Sequence, residues 1–153
     1  MSIKIETYEN GQLINAVDNR NFADVLQQVN DAINAYRDYL FEEQPIYYQG
    51  VSFDIDQKSR NNITAMSTAV AAGVPLPPNF VWRTFSNSTF PMNAETLLDF
   101  AGLAMSYVNS VYAYSWIKKF EITQLTTLEQ LDSYDVTSGW PDNNLTPDVP
   151  IID

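Results

Sequence analysis

The feature that most constrains the fold of this chain is a long, mostly apolar stretch at residues 97–117. Five polar residues interrupt it: Asp99, Ser106, Asn109, Ser110 and Ser115. Because polar side chains recur along its length, the stretch fits a buried helix better than a membrane span. We predict a helix from about Ala94 to Ile122, which would be about 40 Å long at 1.5 Å per residue.

The predicted long helix has two apolar faces. The first bears small residues that let another helix approach closely. It consists of Leu97, Ala101, Ala104, Val108, Val111 and Ser115. The second face is aromatic and consists of Met105, Tyr112, Trp116 and Phe120. Two apolar faces predict burial on two sides. The second side packs either on the chain's own hairpins or on another protein.

Another amphipathic helix is predicted from about Asn21 to Glu43, with Asp18, Asn19 or Asn21 as its N-cap. Its apolar residues alternate in steps of four and three, which is the spacing of a heptad seam. They are Phe22, Leu26, Val29, Ile33, Tyr36 and Leu40. This seam packs into the protein's own core, which is the commoner outcome, or it joins a bundle with another subunit.

The remaining segments predict short hairpins and two more helices. Strand patterns with turn residues between them occur in three segments, at residues 1–17, 46–55 and 81–90. The Asn10-Gly11 turn in the first segment is the strongest of these turn signals. A helix is predicted from about Asp56 to Ala72, and a shorter one near residues 126–131.

These elements predict an α+β fold that is mainly α, with three principal helices, one of them long, and short β-hairpins. The length of 153 residues suits one domain. We place that domain at residues 1–132. Beyond Asp132 the chain is rich in Pro, Asp and Asn, which predicts an irregular, acidic C-terminal arm at residues 133–153.

The net charge of −11 disfavours binding to nucleic acid and to anionic membranes. From Phe120 to Asp153 there are seven acidic residues and no basic residue. This part of the chain is either a solvated acidic tail or an arm that docks on a basic neighbour. Trp140 lies within it and is either an anchor in a neighbour's pocket or a ring that folds back on its own domain.

The chain has no Cys and no His. This excludes disulfides and Cys-based zinc sites, and it removes the side chain best suited to proton transfer near neutral pH. Asp54 and Asp56 could bind a divalent cation, but Asp56 is better explained as a helix cap, with Arg60 as a possible ion-pair partner. We therefore predict no enzyme activity and no catalytic, cofactor-binding or metal-binding residue. The start of the chain lacks the apolar core of a signal peptide, which indicates production in the cytoplasm.

Residues 45–122 carry a set of motifs. They are Gly50-Val51-Ser52-Phe53 before Asp56, the helix opening Ser59-Arg60-Asn61-Asn62-Ile63, the strand Trp82-Arg83-Thr84, the helix start Met92-Asn93-Ala94 and the helix end Lys118-Lys119. This set resembles a domain family of unknown function that is common in phage tail-gene regions. The turn Phe85-Ser86-Asn87 lacks the usual Asp before Asn, and Asn93 stands where Thr is frequent. Both changes keep the chemistry of a turn or a cap.

The resemblance implies a virion protein, made in the host cytoplasm, that contacts other phage tail proteins as a homo- or hetero-oligomer. An adaptor, baseplate or fibre-associated subunit is the first hypothesis. A tail-fibre assembly chaperone that leaves before the virion is complete is the second, and a carboxylate-dependent hydrolase is the least favoured. The partner-binding residues we predict are Phe22, Leu26, Val29, Ile33, Tyr36, Leu40, Tyr112, Trp116 and Trp140.

Overall fold

The computed structural model describes residues 4–145 and confirms the predicted α+β, mainly helical fold. Its helices are α1 (Phe22–Glu42), α2 (Gln57–Ala71), α3 (Ala94–Thr123) and α4 (Leu128–Asp132). Its strands are β1 (Lys4–Glu9), β2 (Gln12–Asp18), β3 (Ile46–Tyr48), β4 (Val51–Phe53), β5 (Val81–Arg83) and β6 (Thr89–Pro91). Each strand pairs antiparallel with the next along the chain, which gives three separate hairpins.

The first hairpin turns at Asn10-Gly11, as predicted, and the second turns at Gln49-Gly50 within the predicted segment 46–55. All four of these residues have positive φ, and this is the backbone of the tight turns that match the twist of a hairpin. The register pairs Glu9 with Gln12 in the first hairpin.

Asn and Asp side chains begin the three principal helices. The side chain of Asn21 accepts hydrogen bonds from two backbone N–H groups of α1, and Asp56 and Asn93 each accept one at the start of α2 and α3. These bonds satisfy donors that the first turn of a helix leaves without partners. The predicted caps at Asp56 and Asn93 are confirmed, and Asn21 is the cap among the three residues considered for α1.

The core lies between α3 and the elements packed around it. Both α1 and α2 contact α3, and its small-residue face is buried from Leu97 to Ser115. A main cluster centres on aromatic rings, in which the ring centroid of Phe100 lies 4.8 Å from that of Phe53 and 5.4 Å from that of Tyr48. A second cluster consists of Val25, Ile33, Ile122 and Leu131. Within residues 4–145, no helix combines the length and apolarity needed to cross a bilayer.

The heptad seam of α1 packs into the protein's own core. Ile33 is fully buried, and Leu40 packs against the main cluster. Three seam residues pack against the second cluster: Phe22, Leu26 and Val29. The ring of Tyr36 contacts that of Trp140, with centroids 5.4 Å apart. The seam therefore packs on α3, α4 and the residues after α4, as the core interpretation predicts. Five of its six side chains keep partial exposure, so a contact with another subunit stays a prediction.

Residues 133–145, which we call the C-terminal segment, pack on the domain. The Trp140 ring centroid lies 5.1 Å from that of Tyr114 on α3. The backbone N–H of Leu145 donates to the carbonyl oxygen of Tyr47 at 2.8 Å, so the segment runs beside β3. These residues are irregular, as predicted, and they continue the packing of the domain past Asp132.

Lys118 on α3 contacts the C-terminal segment through a hydrogen bond and a cation–π contact. The lysine is buried, and its Nζ donates to the carbonyl oxygen of Asp135 at 2.8 Å. The same Nζ lies 5.2 Å from the ring centroid of Tyr114 and 5.1 Å from that of Tyr134. Cation–π contacts and a hydrogen bond offset part of the cost of burying the charge. The rest of the predicted arm, residues 146–153, lies outside the described residues.

Candidate protein-interaction surface

The most exposed aromatic side chains among residues 4–145 lie together near the C-terminal end of α3. Trp116 and Phe120 are about one helical turn apart and are 63% and 66% exposed, and Ile117 beside them is 52% exposed. We call these three residues the α3 patch. Soluble monomers rarely expose large contiguous apolar patches, and such patches mark contact sites for other molecules.

The predicted aromatic face of α3 is divided between core and surface. Met105 and Tyr112 pack against the main cluster, and the ring centroid of Tyr112 lies 5.2 Å from that of Phe41 on α1. Trp116 and Phe120 continue the same face but remain exposed. Tyr112 therefore packs against α1, and its role in partner binding stays a prediction.

The hairpin of β1 and β2 is a second exposed apolar surface. The side chains of residues 5–13 are all exposed. The register places Ile5 opposite Val17 and Tyr8 opposite Leu13, and each of these four side chains is about half exposed. A hairpin of two strands is only marginally stable in water by itself. Contact with another surface would therefore stabilise it.

Arg20 ties the base of this hairpin to α4. Its Nη2 lies 2.7 Å from a carboxylate oxygen of Asp18, at the end of β2, and 2.7 Å from one of Asp132, at the end of α4. The hydrogen bonds to Asp18 and Asp132 raise the pKa of Arg20. Because exposed ion pairs contribute little stability, this network fixes the position of the hairpin base more than it stabilises the fold.

Trp116 is the only one of the nine predicted partner-binding residues that belongs to the α3 patch. Trp140 folds back on its own domain, which was one of its two interpretations, and Tyr36 and Tyr114 contact its ring. Sequence reasoning did not select Ile117 or the hairpin side chains. The apolar alternation of the first 17 residues indicated strands, but alternation cannot show whether anything covers them.

Two of the charged residues considered for chemistry, Asp56 and Arg60, have structural partners. Asp56 accepts a hydrogen bond from the backbone N–H of Ser59 at 2.8 Å. Arg60 reaches across to α1, where its Nη2 lies 3.5 Å from Glu42, and its guanidinium carbon lies 4.6 Å from the ring centroid of Phe41. The suggested pairing of Arg60 with Asp56 is therefore corrected, because the Asp56 carboxylate serves the helix end. No group of three or more metal-ligating side chains occurs among residues 4–145.

A family model described as a domain of unknown function, DUF4376, matches residues 24–137. The chain belongs to this family. The match begins inside α1 and ends within the C-terminal segment, so it extends beyond the predicted family-like core at residues 45–122 on both sides. It leaves out the β1–β2 hairpin. No curated protein and no solved structure matches the chain.

Proposed function

We propose that this protein is a structural subunit of a phage tail, either an adaptor, a baseplate part or a fibre-associated part, and that it works through protein–protein contacts. The observation that supports action through protein–protein contacts is the α3 patch. Its aromatic side chains are of the type that dominates binding energy at protein interfaces. The exposed hairpin of β1 and β2 supplies a second surface for a neighbouring subunit.

The size of the α3 patch supports a contact of measurable strength. Trp116 is 63% exposed, which leaves about 150 Å² of a side chain that buries up to about 250 Å². Removing that area from water would contribute about 4 kcal/mol before the costs of association. Interface tryptophans cost about 2–4 kcal/mol when truncated, which is of the same order.

The phage setting has a separate basis. It comes from the motifs between Tyr47 and Ile122, which resemble proteins of tail-gene regions, whereas the family match itself carries no function. The composition is compatible with this setting. Charged residues make up only 18% of the chain, so few charges lose their water when a partner docks.

The direct test is mass spectrometry of purified virions and of isolated tails from the phage that encodes this protein. We expect the protein in intact tails at a fixed ratio to known tail subunits. If it co-purifies with fibre subunits before assembly and is absent from virions, it is an assembly chaperone instead. Absence from both fractions would remove the tail proposal altogether.

A pair of matched variants tests the α3 patch within the same particles. Phe120→Ser removes a ring that is 66% exposed in the patch, and Phe85→Ser removes one that is 45% exposed elsewhere. We expect Phe120→Ser to weaken incorporation by about 30-fold, the equivalent of about 2 kcal/mol, and Phe85→Ser to leave it unchanged. Equal incorporation of both variants would show that the patch is not the contact surface.

A further inference from the structure

A groove lies between α2 and β5, away from the α3 patch. Its volume is about 420 Å³, within the range of small-molecule sites. One wall is a face of α2 that carries Ser59, Asn62 and Met66. Trp82 and Arg83 of β5 also line the groove, as does Asp54, which lies between β4 and α2.

Most polar side chains that line this groove form no hydrogen bond with another side chain or backbone group of the described residues. Within residues 4–145, no side-chain hydrogen bond involves the Asp54 carboxylate, the Asn62 amide, the Ser59 hydroxyl or the Trp82 indole N–H. Arg83 uses one nitrogen, Nη1, which donates to the carbonyl oxygen of Asn87 at 3.2 Å. The groove therefore offers both donors and acceptors to a bound molecule.

A second groove, next to Trp140, differs in the hydrogen bonding of its polar side chains. Its amides and its indole are already engaged: Asn143 donates to the carbonyl oxygen of Pro45 at 2.9 Å, and Trp140 donates to that of Val136 at 2.8 Å. A polar group that has an internal partner gains less from a ligand. The groove beside Trp82 is therefore the better candidate for ligand binding.

We propose that the groove between α2 and β5 binds a neutral, hydroxyl-rich ring, of the size of one or two sugar units. Trp82 and Met66 supply apolar surface for the carbon-bound hydrogens of such a ring. A hydroxyl group both donates and accepts, so it can satisfy a carboxylate, an amide and a guanidinium together. The negative charge of the Asp54 carboxylate and the positive charge of the Arg83 guanidinium balance each other. This balance favours a ligand without net charge.

The setting of Asp54 suits an acceptor for hydroxyl groups. Burial raises its pKa, and the neighbouring charge of Asp56 raises it further. A partly desolvated carboxylate without an internal partner forms stronger hydrogen bonds than one in water. A cation could also neutralise the Asp54 carboxylate, but Arg83, which lines the same groove, opposes a second positive charge.

Nuclear magnetic resonance of the full-length protein tests this proposal, which is independent of the tail function. The three tryptophan indole N–H signals report on three separate places, and Trp82→Phe identifies the signal of the groove. The probes are glucose, galactose, mannose, N-acetylglucosamine, lactose, maltose and chitobiose, each titrated to about 100 mM, a hundredfold above a dissociation constant of 1 mM. Sodium sulfate serves as the anion probe.

We expect at least one sugar to shift the Trp82 signal with saturation, at a dissociation constant on the order of 1 mM. The matched variants are Asn62→Ala, inside the groove, and Asn61→Ala, its neighbour outside it. Asn62→Ala and Asp54→Asn should each weaken binding about tenfold, as loss of a hydrogen bond predicts, and Asn61→Ala should not.

Three results would overturn the proposal. The first is that no sugar shifts the Trp82 signal with saturation. The second is that Asn61→Ala and Asn62→Ala weaken binding equally, which would place the sugar elsewhere. The third is that sulfate alone binds, which would identify an anion site at Arg83.

Discussion

Trp116 and Trp140 occupy opposite settings, so the same substitution to alanine should give opposite results. Trp116 is 63% exposed in the α3 patch. Trp140 is half-buried between two rings, with centroid distances of 5.4 Å to Tyr36 and 5.1 Å to Tyr114. Its indole N–H also donates to the carbonyl oxygen of Val136 at 2.8 Å. We expect Trp140→Ala to destabilise the fold and Trp116→Ala to leave its stability unchanged.

The expected magnitudes follow from these contacts. A buried Trp→Ala change costs about 3–5 kcal/mol, through lost transfer free energy and the cavity left behind. Because Trp140 keeps some contact with solvent, we expect about 2–4 kcal/mol from Trp140→Ala. Trp116→Ala removes a ring that already faces water, and surface changes of that kind stay within about 0.5 kcal/mol.

Urea unfolding followed by far-ultraviolet circular dichroism measures both free energies of unfolding, with no reliance on tryptophan fluorescence. Trp140→Phe is the matched control, since it keeps a ring against Tyr36 and Tyr114 but loses the hydrogen bond, at a cost of about 1 kcal/mol. A free energy of unfolding unchanged by Trp140→Ala would refute the packing of the C-terminal segment. Surface substitutions rarely change the free energy of unfolding by as much as about 2 kcal/mol. A decrease of that size from Trp116→Ala would therefore refute the exposure of the α3 patch.

Three further predictions concern single side chains. Lys118→Ala should lower the free energy of unfolding by about 2–4 kcal/mol, because it leaves a cavity and removes the hydrogen-bond donor of the Asp135 carbonyl oxygen. Lys118→Met fills most of the cavity and should lower the free energy of unfolding by less. Urea titration compares the two variants. Hydrogen bonds from Ser138 and Thr137 lower the pKa of Asp135 from 3.8 to about 2, so its carboxylate stabilises the fold above pH 3.8 and that contribution is lost as the pH falls towards 2. The free energy of unfolding of Asp135→Asn should therefore fall less than that of the natural protein across this pH window, and parallel curves would contradict the assignment. Asn93→Ala should cost about 1 kcal/mol by removing the cap of α3, and Asn93→Ser should restore most of it; equal midpoints of thermal unfolding for all three proteins would exclude the cap.

The elements could be predicted from the sequence because their signals are local. The spacing of apolar residues in α3 predicted its start at Ala94, and Asn93 beside it predicted the cap. Asn10-Gly11 predicted a turn because its residues adopt positive φ at low cost. Each of these signals depends on residues close together in the chain.

The coverage of each apolar surface could not be predicted in the same way. Ile33 and Trp116 both lie on apolar helical faces, yet Ile33 is fully buried and Trp116 is exposed. The groove between α2 and β5 could not be predicted from the sequence either, because Asp54, Asn62 and Trp82 come from a loop, a helix and a strand. Periodicity shows that a face is apolar and does not show what lies against it.

The sequence by itself determined the helices, their caps, the hairpin turns and the mainly helical fold class, since each depends on backbone geometry within a few residues. The tertiary structure decided that the seam of α1 packs against the protein's own clusters, that Trp140 folds back, and that Trp116 and Phe120 face solvent. The physical reason is that burial depends on which distant segments meet. Here the C-terminal segment packs on the side of α3 that carries Tyr114 and Lys118, and the α3 patch remains exposed.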